Sequence, residues 1–82
     1  MAKSTKHPAP VIHGIYKHYK GNVYIVEDIA THSETGEKLV IYRGLYGDSP
    51  LYARPYTMFQ EDVTINNTTH PRFELQQIKS AR

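Results

Sequence analysis

The sequence contains no cysteine. That excludes disulfide staples, thiolate metal sites and thiol nucleophiles within the chain, and it fits a reducing compartment. No apolar run approaches the roughly 18 residues that cross a membrane as a helix. The first residues are too polar to read as a secretory signal, so no membrane association is expected. The glycosylation-type triplets in Asn66-Asn67-Thr68-Thr69 then mean only a polar loop. Tryptophan is absent and phenylalanine occurs twice, which leaves aromatic character to seven tyrosines, all between Tyr16 and Tyr56. A basic surplus is missing where it would count. The formal charge is +2, but Lys3, Lys6, Lys79 and Arg82 lie near the ends. Between Gly14 and Leu75 six basic residues face eight acidic ones, a net of −2. A domain that grips phosphate backbones presents a basic stripe. Nucleic-acid binding is therefore disfavoured, although small barrels can stack single-stranded bases on aromatics.

At 82 residues the chain holds one domain. A domain of that size buries only about 60% of its unfolded surface. Residues 1–13 read as a flexible lead with Pro8 and Pro10, 14–75 as the domain, and 76–82 as a charged tail.

The organising stretch is Val23 to Tyr46. Val23–Ala30 and Lys38–Tyr46 are rich in β-branched and aromatic residues, which suit a pleated, half-buried surface. Between them, His32-Ser33-Glu34-Thr35-Gly36-Glu37 holds a glycine free to take positive φ and two hydroxyls that bond nearby backbone. That pattern predicts a hairpin. Further strands are expected at 14–19, 51–54, 63–65 and 72–75, with turns at Lys20-Gly21-Asn22 and Gly47-Asp48-Ser49-Pro50 and a loop from Asn66 to Pro71. Residues 56–60 are too short for an independent helix and suit one helical or 3₁₀ turn. The expected fold is all-β: a small SH3-like barrel, or a strongly twisted antiparallel meander of five to six short strands. The expected core is Ile15, Ile25, Val26, Ile29, Leu39, Ile41, Leu45, Met58, Phe59, Val63 and Phe73. The hairpin strands are apolar on both faces in places, which suggests a core on one side and a tyrosine-rich surface on the other.

The order of residues resembles a known family. Gly14-Ile15-Tyr16-Lys17-His18-Tyr19-Lys20-Gly21, Tyr24, Ala30-Thr31-His32-Ser33-Glu34-Thr35, Val40-Ile41-Tyr42-Arg43, Leu45-Tyr46-Gly47, Arg54-Pro55, Met58-Phe59 and Pro71-Arg72-Phe73 are similar, in the same order, to the short bacterial proteins grouped as domain of unknown function 1653. The resemblance spans roughly Gly14 to Leu75. Tyr52 departs from it, standing where the family more often has tryptophan, and keeps the aromatic character. The resemblance implies a small bacterial, cytoplasmic domain and carries no activity with it.

Tyrosine joins a large apolar body to a polar tip, which suits binding surfaces. High β-propensity explains about half of the seven as ordinary strand residues. Tyr16, Tyr42, Tyr46 and Tyr52 form one patch if their strands are neighbours. With Arg54 and Arg72, which can chelate carboxylate or phosphate and stack on rings, that patch suits a protein segment or a small anionic ligand. His18 and His32 lie beside turns, with Glu34 close to His32. Together they offer a metal-dependent or hydrolytic alternative, but their spacing matches no ligand motif, and a histidine beside a turn more often bonds backbone. Ser33 next to His32 is no triad, because roles follow geometry. No catalytic residue, metal or cofactor is expected, and the chain reads as a binding module in preference to an enzyme. His32 and the Tyr42–Tyr46 segment sit at opposite ends of the hairpin, which suggests two places and not one site.

Overall fold

The computed structural model describes residues 9–78. Of the expected lead, residues 1–8 lie outside the described residues, as do 79–82 of the expected tail. Strands β1 (Gly14–His18), β2 (Val23–Thr31), β3 (Lys38–Gly44) and β4 (Leu51–Pro55) follow one another as an antiparallel meander. A single helical turn α1 (Tyr56–Phe59) follows, then a separate hairpin of β5 (Asp62–Ile65) and β6 (Thr68–Pro71). Strand β7 (Phe73–Ile78) returns to pair with β1, so the main sheet runs β4-β3-β2-β1-β7.

This is the all-β meander with one helical turn. Among the described residues the sheet ends at β4 and β7 and does not close into a barrel. The stretch expected as a loop holds β6, turned from β5 by Asn66 and Asn67, which both adopt positive φ. That backbone makes the tight mirror-image turn whose twist matches the flanking strands. Strand β7 also runs past the expected end at Leu75. No helix among the described residues is long and apolar enough to cross a membrane.

The hairpin turn is built largely as its residues dictate. The His32 N–H donates to the Glu37 carbonyl at 2.7 Å, and Gly36 takes φ 78°. His32 Nδ1 accepts from the Glu34 and Thr35 N–H groups at 3.1 and 3.4 Å, and Thr35 Oγ1 accepts from Glu37 N–H. Side chains thus satisfy backbone donors that the turn leaves unpaired.

The core takes one face of the strands, where the expected set drew on both. Its buried residues are Tyr16, Val26, Val40, Tyr42, Phe59 and Phe73, with Tyr24, Ile29 and Tyr56 packed against them. Val26, Phe59 and Phe73 were expected there, and Ile29 lies beside them. Ile15, Ile25, Leu39, Ile41 and Val63 are only half-buried, and Leu45 and Met58 are exposed. Ile29 reaches the buried face through a register shift. Val26 pairs with Tyr42, but Asp28 pairs with Ile41, so Glu27 is an extra residue in β2. A one-residue bulge inverts the alternation beyond it. Tyr24, Val26 and Ile29 therefore share one face, beside Tyr16 of β1 and with Val40 and Tyr42 of β3. The rings of Phe59 and Phe73 close that face. They stack at 4.2 Å with an 8° angle between planes. The helical turn buries Phe59 under the sheet and leaves Met58 exposed.

Candidate aromatic and cationic site

Phe73 lies at the centre of the aromatic face. Phe59 stacks on its ring, and Tyr42, Tyr24 and His18 meet it edge-on at 5.4, 5.7 and 4.9 Å. The Arg54 guanidinium lies 5.5 Å from the same ring centre, within cation–π range. Tyr24 links this centre to the rim: its ring contacts those of Tyr42, Tyr46 and Tyr52 at 5.2, 5.6 and 6.1 Å.

The rim is polar at its outer edge. The Tyr46 hydroxyl lies 3.3 Å from that of Tyr24 and 2.9 Å from that of Tyr52. These bonds push the Tyr46 hydroxyl well above the usual tyrosine range, so it stays protonated. Three hydroxyl protons serve two bonds, which leaves one O–H to donate elsewhere. Arg54 donates from Nε to the Tyr42 hydroxyl at 3.1 Å. That bond orients the guanidinium, and no carboxylate among the described residues forms an ion pair with it. Arg72 donates to Glu61 at 3.2 Å across a half-exposed pair.

His18 reports the field of this face. Its Nδ1 accepts from Lys20 N–H at 3.1 Å, which leaves Nε2 as the N–H donor of the neutral ring. Burial pushes its pKa below the ordinary imidazole value, and Arg54, Arg72 and Lys20 push it the same way. The charges that shift it are positive. Because the folded state disfavours the imidazolium, the unfolded chain binds the proton first as pH falls. Stability from this group is full above the unfolded value of about 6.5. It is lost as pH falls from there through the lower folded value.

Of the eight candidate residues, the structure brings His18, Tyr42, Tyr46, Tyr52, Arg54 and Arg72 into or around one aromatic face. Tyr16 shares the buried core with Tyr42, but its hydroxyl is taken up by backbone, and His32 lies in the hairpin turn. Tyr16 is buried against Phe59 at 5.3 Å, and its hydroxyl accepts from Val11 N–H at 2.9 Å. That is a core position that ties down the chain before β1, and burial raises its pKa. His32 is consumed by its own turn. Among the described residues no three His, Cys, Asp or Glu side chains converge to hold a metal, so His18, His32 and Glu34 do not meet as ligands. Among the described residues Arg43 pairs with Glu27 and Arg72 with Glu61.

Sequence reasoning passed over Tyr24, and it placed Phe59 and Phe73 in the core without linking them to the site. Tyr24 lies opposite Tyr16 in register and beside Gly44 of β3. Only the pairing reveals it as the link. Gly44 has its own part here. A Cβ there would come within 2.7 Å of the Tyr46 ring. Gly44→Ala is therefore expected to push that ring off the sheet and break both hydroxyl contacts. A loss of the Tyr46–Tyr24 ring contacts in NMR, with the fold retained, is the expected observation. Unchanged contacts would show that the ring does not depend on this gap.

Comparison with known proteins agrees with the sequence resemblance. The family model described as a protein of unknown function, DUF1653, matches residues 14–75. The crystal structure of a DUF1653 protein from Bordetella bronchiseptica is similar with a TM-score of 0.74 and 31% identity, covering 84% of this chain and 91% of that one. A search of curated proteins gives no match. With a family model over most of its length and a solved relative of the same fold, this chain belongs to the DUF1653 family.

Proposed function

We propose that this domain is a non-enzymatic binding module whose aromatic face takes an anionic group, carried by a protein segment or a small ligand. The observation that carries this reading is Arg54. Its guanidinium is fixed by Phe73 and the Tyr42 hydroxyl, yet no carboxylate side chain among the described residues pairs with it. His18 meets the same Phe73 ring and is acted on by Arg54, Arg72 and Lys20, and the hydroxyl chain of Tyr24, Tyr46 and Tyr52 lies on the rim of this face, although the domain as a whole is slightly acidic. Charge-assisted bonds from a preset arginine to a carboxylate or a similar oxyanion are the strongest polar contacts such a surface can make. The rings supply apolar area without long flexible side chains.

Linkage provides the test. An anion on this face favours the imidazolium of His18, so its pKa is expected to rise toward or past the ordinary value. The His18 ring resonances are followed against pH, with and without sulfate and with and without glutarate. A rise with either anion in the wild type, and a smaller one in Arg54→Ala, is the expected result. A His18 titration unmoved by both anions would overturn the reading.

A further inference from the structure

We infer that the partner of this face is an extended peptide that adds to the outer edge of β4 as a further strand and lays a carboxylate on Arg54. The inference rests on the anion-binding reading and names the source of the anion.

The edge has a defined phase. Gly44 N–H donates to the Pro50 carbonyl at 2.8 Å, and the β3–β4 register continues from there through Tyr42↔Tyr52 and Val40↔Arg54. Hydrogen-bonded pairs alternate along an antiparallel ladder. The backbone groups of Tyr52 and Arg54 therefore point into the sheet, and those of Leu51 and Ala53 point outward. Among the described residues no strand pairs with that side of β4.

The same phase decides the side chains. Toward an added antiparallel strand, Leu51 and Ala53 are the hydrogen-bonded positions and Tyr52 and Arg54 the positions between them. Cross-strand side chains approach closest at those intervening positions. The two residues that reach the aromatic face from this strand are Tyr52 and Arg54. A peptide residue opposite Arg54 thus brings its side chain to the guanidinium. Its neighbours turn to the other face, where Leu51 is 53% exposed and Ala53 is exposed.

Folded proteins protect edge strands with outward charge, bulges or proline. Here the outward backbone belongs to an apolar pair, Leu51 and Ala53. Pro50 and Pro55 bound the strand but leave both N–H groups between them free to donate. Strand addition is an established mode of peptide recognition, with backbone bonds giving affinity and alternate side chains giving selection. The charge complement selects an acidic residue on the aromatic side and apolar residues on the other. The peptide class is therefore one of alternating apolar and acidic residues.

The test titrates the blocked peptide Val-Glu-Val-Glu-Val, with glutarate as the free anion, into isotope-labelled protein. Ala53→Pro removes one outward N–H and leaves the β3–β4 bonds in place. Peptide binding is expected to shift the Leu51 and Ala53 amides and slow their exchange with solvent. Arg54→Ala and Ala53→Pro are each expected to weaken the peptide at least about tenfold, while Ala53→Pro binds glutarate like the wild type. A peptide N-methylated at its β4-facing amides gives the same loss without altering the protein. If the peptide binds no tighter than glutarate and both amides stay unprotected, strand addition falls and the anion reading stands. If neither binds, both fall. If the chain self-associates through this edge and Ala53→Pro makes it monomeric, the occupant is a second copy and the peptide inference is overturned.

Discussion

Phe73→Ala is expected to cost about 3–5 kcal/mol of folding stability, the range for deleting a buried aromatic ring. Chains of this size are stable by roughly 4–12 kcal/mol in total. The variant should therefore be largely unfolded at physiological temperature, or have a urea midpoint far below that of the wild type. The reason is position as well as burial. Phe73 is only 6% exposed and touches Phe59, Tyr42, Tyr24, His18 and the Arg54 guanidinium. Removing the ring opens a cavity bordered by residues from β1, β2, β3, β4 and α1. Those rings cannot collapse into it without leaving the strands that hold them. Phe73→Leu keeps most of the volume and should lose less, about 1–2 kcal/mol, much of it the edge-to-face ring contacts. Urea unfolding of both variants measures this. A loss below about 1 kcal/mol for Phe73→Ala would show that the ring is not central to the core.

Deleting Ile41 should have an effect of similar size, although its side chain is only half-buried. Strand β3 alternates without interruption from Val40 to Tyr42. Without Ile41, Val40 and Tyr42 become neighbours and one of them turns outward. Both are buried core residues, so the misplaced side chain forfeits about 2 kcal/mol, and the ladders on both sides of β3 must also slip. Deleting Glu27 is the contrast. It is the extra residue of the β2 bulge, so its loss leaves Tyr24, Val26 and Ile29 in regular alternation on one face with the same partners in β3. Only the surface pair with Arg43 is lost, and that variant should stay within about 1 kcal/mol of wild type. Near-UV circular dichroism and urea midpoints separate the two. If the Glu27 deletion costs as much as the Ile41 deletion, strand alternation does not set the facing.

Both predictions turn on features that differ in how visible they are in the chain. The strands were legible because local chemistry marks them. Val23–Ala30 and the run from Lys38 are dense in β-branched and aromatic residues, and His32 to Glu37 carries the glycine and hydroxyls of a tight turn. The second hairpin was not, because Thr68 to Pro71 has neither apolar alternation nor β-branched bulk beyond two threonines. Its signal was Asn66-Asn67, two residues that tolerate left-handed backbone together.

The aromatic cluster was legible in kind and not in membership. Tyrosine excess, Arg54 and Arg72 pointed to an aromatic and cationic surface, and six of the eight candidate side chains lie in or around one face. Tyr16 looked the same in sequence and lies in the core. His32 looked like chemistry and serves its turn. Tyr24 looked like a strand residue and joins the core to the rim.

By itself, the sequence determined the strands of the main sheet, the His32–Glu37 turn, the absence of thiol chemistry and the family, because each depends on residues close together in the chain or on their order. Only the tertiary structure decided which face is buried and which aromatics meet. An alternating strand that is apolar on both sides leaves its facing open, since either choice buries some of its apolar groups. The two phenylalanines that converge from distant segments settle it in favour of the tyrosines, and the bulge at Glu27 keeps Ile29 on their side. That choice leaves the isoleucines half in water and sets Arg54 on an aromatic bed beside the open edge of β4.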